Sequence, residues 1–269
     1  MSVSHDFHLH SSFSADSDAD PVSMIEHALS LGLKGICFTE HLDLDCPPEG
    51  PDFSLDFDAY FSALLQYKEQ YRDRLQIGIG LEFGMQQPHS DYFHSLISRY
   101  PFDFIIGSLH FIHGKDPYYP SFFDGVTEEE AYRDYFQELY RLLPLYSGIQ
   151  TLGHLDYIVR YGPNQNQNYS YAQYADVIDP ILTYLIQHEI CLEVNTAGLK
   201  YGLGATNPSL DVLKRYRSLG GSRITIGSDA HAPEHIAYDF SSISALLSEA
   251  GFNHYTVFAN RCGSLQPLF

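Results

Sequence analysis

The stretch His5-Asp-Phe-His-Leu-His10 places two histidines at alternate positions near the start of the chain. In an extended strand, alternate side chains point to the same side. The imidazoles of His8 and His10 can therefore reach one metal ion from a strand, without a helix between them. We expect this stretch to be the first strand of the fold and the beginning of a multinuclear metal site that later strand ends complete.

Short apolar runs with a polar end recur along the chain, and helical patterns separate most of them. Six runs after the first are predicted to be strands: residues 36–38, 75–81, 102–107, 150–153, 190–194 and 223–226. Strands that alternate with helices indicate βα units around a parallel sheet. With 269 residues and an apolar fraction of 44%, the chain suits one α/β domain over residues 1–269.

Local signals predict where several helices begin or are interrupted. Asp20 is a suitable N-cap before Pro21, and Thr127 and Glu130 have the spacing of a capping box. Pro180 is expected to kink or split a helix over residues 174–188. The proline-rich loop that follows the second strand is long enough to cover a site.

All the predicted strands except the sixth, which ends at Asn195, are followed by a histidine, glutamate or aspartate. The C-terminal strand ends of a parallel barrel converge on one face, where such enzymes keep their sites. The candidate metal ligands are His8, His10, Asp16, His41, Glu82, His110, His154, Asp229 and His231. The histidines on predicted helices or in loops are expected to be ordinary residues: His89, His94, His188, His235 and His254.

Imidazole and carboxylate ligands without thiolate suit zinc, iron or manganese. Two such ions about 3.5–4 Å apart can clamp the attacking and leaving oxygens of a displacement at phosphorus. They also lower the pKa of a bound water towards about 7. The pattern therefore predicts phosphoester hydrolysis without a serine or cysteine nucleophile.

The overall charge excludes some partners. The net charge is −19 with only 15 lysines and arginines, so the surface would repel nucleic acid. The four cysteines are scattered and form no C-x-x-C, which is typical of a reduced compartment. The polar N-terminus, including Ser2 and Ser4, is unlike a signal peptide, and no apolar run approaches the length of a membrane span. We expect a cytoplasmic protein with no membrane partner.

Six sequence blocks, in this order, resemble the PHP (polymerase and histidinol phosphatase) superfamily. They are Asp6-x-His8-x-His10, Thr39-Glu40-His41, Glu82 after a strand, Gly107-Ser-Leu-His110, Gly153-His154-Leu-Asp156 and Gly227-Ser-Asp229-Ala-His231. Within it, the chain most resembles the monofunctional L-histidinol-phosphate phosphatases, which share the Ser108-Leu-His110-Phe-Ile112 block and the segment from Gly153 to Tyr161. The resemblance implies a distorted TIM-like (β/α)7 barrel with a trinuclear metal centre at the C-terminal ends of the strands.

By position, the resemblance implies two to three divalent ions (Zn, Fe or Mn). The first would bind His8, His10, Glu82 and Asp229. The second would share Glu82 and bind His110 and His154, and the third would bind Asp16, His41 and His231. Asp16 departs from the family pattern, because several members carry histidine there, although a carboxylate can also ligate a metal. The implied reaction is attack of a metal-bridging hydroxide on L-histidinol phosphate, which yields L-histidinol for histidine biosynthesis.

Further residues outside the ligand set are expected to act in catalysis or substrate binding. Arg160 suits a phosphate because its guanidinium matches two oxygens at once, although a salt bridge on the barrel rim is the alternative. His113 could donate to phosphate or protonate the leaving alkoxide, or be an ordinary loop histidine. Asp43 could pair with the substrate cation, as could Asp45 and Glu49. Tyr161 is a predicted substrate contact, and Tyr118 and Tyr119 could stack on a ring.

Two other functions are compatible with these residues. One is a PHP phosphoesterase that acts on another small phosphate ester or a nucleotide. The other is a catalytically silent PHP domain used for binding or structure. A silent copy should have lost ligands, but every expected ligand position here holds a metal-binding residue.

Overall fold

A computed structural model describes residues 3–269, so the predicted polar N-terminus is described from Val3 and Ser2 lies outside it. The strands are β1 (His5–Leu9), β2 (Gly35–Phe38), β3 (His41–Leu42), β4 (Gln76–Gly84), β5 (Phe104–Ser108), β6 (Thr151–Leu152), β7 (Cys191–Asn195), β8 (Ile224–Gly227), β9 (His254–Ala259) and β10 (Cys262–Pro267). The helices are α1 (Pro21–Ser30), α2 (Phe57–Gln70), α3 (Ser90–Arg99), α4 (Glu128–Leu142), α5 (Tyr171–Gln187), α6 (Ala197–Lys200), α7 (Leu210–Ser218) and α8 (Phe240–Glu249).

The principal sheet is a nearly closed parallel barrel in the order β1-β2-β4-β5-β6-β7-β8. Its ends meet where Leu9 pairs with Ala230, just beyond β8, and the N–H of His10 donates to the carbonyl of Ala230 at 2.8 Å. This architecture confirms the predicted TIM-like (β/α)7 barrel. Because all seven strands run in one direction, their C-terminal ends form a single face.

Burial explains why the strand sequences are apolar. Hydrogen bonds from capping side chains explain where α1 and α4 begin. Each residue of β2 and β5 is buried, as expected for strands covered on both sides. The side chain of Asp20 accepts a hydrogen bond from the N–H of Ser23 and caps α1. Thr127 and Glu130 form both bonds of the predicted capping box at α4.

One strand extends past its predicted end, and one helix is continuous across a proline that was expected to kink or split it. The third predicted strand, residues 75–81, was expected to end at Glu82, but β4 continues to Gly84. Its last residues pair with β3 on one side, which brings His41 opposite Glu82, and with β5 on the other. Pro180 does not split its helix, since α5 runs unbroken through it. Packing of the buried side chains of Ile178, Ile181 and Leu182 around the proline offsets the one backbone hydrogen bond that it removes.

The C-terminal hairpin, in which β9 pairs antiparallel with β10, was missed by the sequence analysis. Hairpin turns favour Asn-Gly or Asp-Gly because both central residues need positive φ. Here Asn260 and Arg261 take φ values of 50° and 60° without glycine, so the usual signal is missing. Of the helices within residues 3–269, none is both long and apolar enough to cross a membrane.

Candidate metal centre

Glu82 lies at the middle of the predicted ligands, and its two carboxylate oxygens face different histidines. Oε2 lies 3.1 Å from Nε2 of His8 and 3.5 Å from Nε2 of His10. Oε1 lies 2.9 Å from Nε2 of His154 and 3.3 Å from Nε2 of His110. Oε2 also lies 3.1 Å from Nδ1 of His41. A carboxylate with imidazoles at both of its oxygens can bridge two metal ions.

Asp229, two residues after the end of β8, also contacts different residues with its two carboxylate oxygens. Oδ1 lies 3.6 Å from Nε2 of His10 and 3.9 Å from Nε2 of His8, while Oδ2 accepts a hydrogen bond from Arg160 at 2.9 Å. The backbone φ of Asp229 is 53°, a left-handed conformation that is uncommon for residues other than glycine. This conformation places the carboxylate between His8 and His10 on one side and Arg160 on the other.

A third group surrounds Asp16, the residue at which the chain departs from the family pattern. Oδ2 of Asp16 lies 3.0 Å from Nε2 of His231 and 3.5 Å from Nε2 of His41. The ring of His10 stacks between these two histidines, with centroid distances of 4.1 Å to His41 and 4.2 Å to His231. The third group therefore lies directly against the first.

Buried atoms without hydrogen-bond partners test whether this cluster fits metal ions. Within residues 3–269, they include Nε2 of His8, Nε2 of His10, Nδ1 of His41 and Oε2 of Glu82. Unsatisfied buried polar atoms are rare in folded proteins because each costs about 1–3 kcal/mol. The potential ligand atoms of His8, His10 and Glu82 lie within 4.8 Å of one another, as do those of Glu82, His110 and His154. The donor set and its unbonded atoms fit divalent cations.

The carboxylates of the cluster keep the negative charge that metal ligation requires. Burial disfavours the charge of Glu82, but His8, His110 and His41 outweigh this effect and hold its pKa well below the usual range. Burial likewise opposes the charge of Asp229, where His8 and Arg160 lower the pKa. Burial lowers the pKa of His154, and burial with the nearby His41 lowers that of His10. At three other histidines of the cluster, neighbouring carboxylates outweigh burial and raise the pKa of His8 and His110 well above the ordinary value and that of His41 to about 9. These imidazoles therefore release a proton when a metal binds.

Two buried carboxylates hold the far ring nitrogens of the predicted ligands. Nδ1 of His8 donates to Oε1 of Glu193 at 2.5 Å, and Nδ1 of His110 donates to Oδ1 of Asp43 at 2.9 Å. Asp43, which was predicted to bind a substrate cation, lines the cavity next to the cluster, but it is only 3% exposed and one of its oxygens already accepts from His110. Sequence reasoning missed Glu193, although an acidic residue inside the apolar run Cys191–Asn195 was a usable signal.

Arg160 is buried beside the cluster with its orientation determined by three acceptors. Nε donates to Asn207, Nη1 to Asp229 and Nη2 to Asn195, at 3.0, 2.9 and 3.0 Å. These bonds use three of its five N–H groups. Arg160 thus forms the salt bridge that was its alternative role, but it also lines the cavity next to the cluster.

The structure does not bring His113 to this centre. Its side chain is 61% exposed and Nε2 lies 3.1 Å from Oδ2 of Asp134 on α4. A tight turn, in which Ile112 and Lys115 exchange backbone hydrogen bonds, directs the histidine away from the strand end. Sequence proximity to His110 was therefore a poor guide to its position.

A cavity of about 450 Å³ opens onto the cluster, and aromatic side chains form its outer wall. The wall residues are Phe53, Tyr118, Tyr119, Tyr157 and Tyr161. Asp116 supplies a carboxylate among them, which accepts a hydrogen bond from the N–H of Tyr118 at 2.8 Å. Burial raises the pKa of Asp116. The cavity thus joins a metal-binding floor to an aromatic and acidic wall.

Comparison with known proteins identifies the class to which this barrel and its site belong. The model of the PHP domain family matches residues 6–197, which include seven of the nine predicted ligands. The chain belongs to the PHP domain family.

The curated relatives and solved structures that are similar to this chain include members of one branch of the family. A histidinol-phosphatase from Lactococcus lactis is 33% identical over 94% of both chains, and a probable histidinol-phosphatase from Clostridium acetobutylicum is 34% identical over 88% of this chain and 90% of its own. The crystal structure of the histidinol phosphate phosphatase from L. lactis, in complex with zinc, L-histidinol and phosphate, superimposes with a TM-score of 0.89 at 33% identity. The superposition covers 97% of this chain and 99% of the L. lactis chain. Within the family, the similarity is to the histidinol-phosphatases.

Proposed function

We propose that this protein hydrolyses L-histidinol phosphate to L-histidinol and phosphate with two to three divalent ions, which can be zinc, iron or manganese. The observation that carries the phosphatase part is Glu82, whose two oxygens face different histidines. Arg160 is bonded to Asp229, which lies against two of the same histidines. The similarity to the L. lactis enzyme supports the choice of substrate.

The proposed ligands are those of the sequence analysis, with Glu82 shared between the first two groups and Asp229 in the first. When bound, the ions supply positive charge to the phosphate oxygens and lower the pKa of a water molecule that acts as the nucleophile. Arg160 holds the phosphate in place through its remaining N–H groups, since Asn195, Asn207 and Asp229 keep its guanidinium fixed. A cation that needs no rearrangement stabilises the developing charge most effectively.

The outer wall of the cavity suits the rest of the substrate. Histidinol phosphate carries an ammonium group and an imidazole, which an acidic residue and aromatic rings can bind. We assign the ammonium or the protonated imidazole to Asp116, because Asp43 is bonded to His110. Tyr161, whose ring centroid lies 5.7 Å from that of Tyr118, is a proposed contact of the imidazole.

The direct test of this function is phosphate release from L-histidinol phosphate, compared with nucleotides, sugar phosphates and an aryl phosphate. A preference of several orders of magnitude for histidinol phosphate is expected. Similar slow turnover of all the esters would leave the metal-dependent chemistry intact and support the alternative, a PHP phosphoesterase with another small substrate. No turnover of any ester by the zinc-, manganese- or iron-loaded protein would indicate a silent domain.

Asp116→Asn tests the assignment of the substrate cation. We expect kcat/KM for histidinol phosphate to fall by about 10- to 100-fold, since a charged hydrogen bond is lost, while kcat/KM for the aryl phosphate stays unchanged. Asp134→Asn is the matched control, because Asp134 is half exposed and lies outside the cavity. Equal losses for both esters would mean that Asp116 supports the metal centre and does not select the substrate.

Two further properties belong to this proposal. We propose that residues 1–269 act as one catalytic domain, since the predicted ligands come from both halves of the chain. We also propose a cytoplasmic location, which is consistent with free thiols at Cys37, Cys46, Cys191 and Cys262.

A further inference from the structure

Glu193 contacts two of the predicted metal groups with a single carboxylate. Oε1 accepts a hydrogen bond from Nδ1 of His8 at 2.5 Å, and Oε2 accepts one from the backbone N–H of His154 at 2.7 Å. The side chain of Asn195 also donates to Oε2, at 3.2 Å. Glu193 is 1% exposed, so its charge is compensated by these donors and not by water.

These bonds determine which ring nitrogen of His8 is available. Because Nδ1 donates to Glu193, the lone pair of the neutral ring is on Nε2. This Nε2 faces Glu82 and is one of the buried atoms that have no hydrogen-bond partner within residues 3–269. On the other side, the bond to the backbone of His154 ties the end of β6 to β7. Histidines of the first and second predicted metal groups are thus held by the same residue.

Gly227 provides a second, independent observation of the same contact. A Cβ atom added to Gly227 would lie 2.3 Å from Cβ of His8 and 2.8 Å from Oε1 of Glu193. Any side chain at this position would separate the two residues. The end of β8 is therefore shaped to let the carboxylate reach the imidazole.

We propose that Glu193 is a positioning residue that orients His8 and anchors the segment of His154, and thereby sets the metal affinity of two neighbouring groups. This inference rests on the metal centre of the proposed function, but not on the identity of the substrate. Carboxylates that hold metal-binding histidines by the second ring nitrogen commonly change metal affinity by 10- to 100-fold when they are removed.

The test measures zinc binding to the full-length chain by equilibrium competition with a chromophoric chelator. We expect Glu193→Ala to raise the free Zn²⁺ concentration at half-filling by about 10- to 100-fold. Glu193→Gln should cause a smaller shift, because one oxygen can still accept from His8. Gly227→Ala, which leaves the carboxylate in the sequence but separates it from His8, should also weaken zinc binding.

Asp103→Asn is the matched control for the loss of a buried charge. Asp103 is 3% exposed and precedes β5, so it lies at the opposite end of the barrel. Glu193→Ala and Asp103→Asn should both lower the melting temperature of the metal-free protein, but only Glu193→Ala should alter the zinc affinity. This separates positioning of the ligands from a general structural role.

Wild-type zinc affinity in Glu193→Ala would overturn the inference, as would an equal shift in Asp103→Asn. If Glu193→Ala does not fold, Glu193→Gln and Gly227→Ala decide the matter by the same measurement. A wild-type protein that binds zinc but does not hydrolyse histidinol phosphate contradicts only the proposed substrate. A wild-type protein that binds none of zinc, manganese and iron contradicts both proposals.

Discussion

The two ends of the barrel both bury charged side chains, but they satisfy them differently. At the N-terminal end, Asp103 accepts hydrogen bonds from Lys68 at 2.6 Å, from the N–H of Ile79 at 3.0 Å and from the N–H of Asn260 at 2.9 Å. At the C-terminal end, Glu82 and the imidazoles around it include buried atoms without any such partner in residues 3–269. A carboxylate whose hydrogen bonds are all satisfied stabilises the fold. A cluster of donors and acceptors that lack hydrogen-bond partners is suited to bind a ligand.

The largest effect should follow from Glu82→Ala at the C-terminal end. We expect kcat/KM to fall by more than about 10³-fold, because the predicted bridge between two metal ions is lost and with it several kcal/mol of charge stabilisation. Metal analysis should show fewer ions per chain in a folded protein. Glu138→Ala, which removes a buried carboxylate paired with Arg141 on α4, should keep the wild-type metal content. Near-normal turnover in Glu82→Ala would contradict a shared carboxylate.

Arg160→Ala should produce the next largest loss. A fall in kcat/KM of about 10²- to 10³-fold is expected, since a fixed cation no longer faces the phosphate. The metal content should remain unchanged, and Arg133→Ala, which breaks an exposed pair with Asp176, should behave like the wild type. Loss of metal from Arg160→Ala would instead mean that the arginine chiefly supports Asp229.

At the N-terminal end, Asp103→Asn should affect stability and not catalysis. An amide cannot accept at both positions, so at least one buried N–H group is left unsatisfied, at a cost of about 1–3 kcal/mol. Urea unfolding of the variant and the wild type measures this difference. If the loss in kcat/KM, expressed as an activation free energy, exceeded the loss in the free energy of unfolding, the two ends of the barrel would not be functionally separate.

His5, which also lies at the N-terminal end, should make stability depend on pH. Burial, with a smaller contribution from Lys34, lowers the pKa of His5 to about 4, against about 6.5 in an unfolded chain. Between these values the unfolded state binds more protons, so stability falls as the pH falls from about 6.5 to 4. The melting temperature of His5→Gln should decline less over this range. Parallel declines in both proteins would place the pH dependence elsewhere.

The smallest effect is expected at His113, beside the C-terminal end but directed away from it. His113→Ala removes an exposed pair with Asp134, which contributes about 0–1 kcal/mol. Steady-state kinetics with histidinol phosphate should therefore differ from the wild type by less than about threefold. A loss of 10²-fold or more would show that the loop brings His113 to the substrate during turnover.

The alternating strands and helices, the residue types at the strand ends and the capping box of α4 were predicted from sequence because each depends on a local pattern, whereas the (β/α)7 barrel was implied by the resemblance to the PHP superfamily. His8 and His10 share one face of a strand by alternation, and Thr127 and Glu130 meet within one helical turn. The hairpin of β9 and β10 was missed because Asn260 and Arg261 adopt positive φ without the glycine that usually marks such a turn. The buried side chains of Tyr255, Val257 and Phe258 pack in the core, a tertiary contact that the sequence around the turn does not reveal.

By itself, the sequence determined which residue types stand at the strand ends, and hence the class of chemistry that they can support. Only the tertiary structure decided which groups meet. Glu193 and His8 are 185 residues apart, Asp43 is bonded to His110, and His113 turns away although it is close to His110 in the chain. Alternation and helical spacing act over a few residues, whereas these contacts depend on how the barrel closes, which no local pattern encodes.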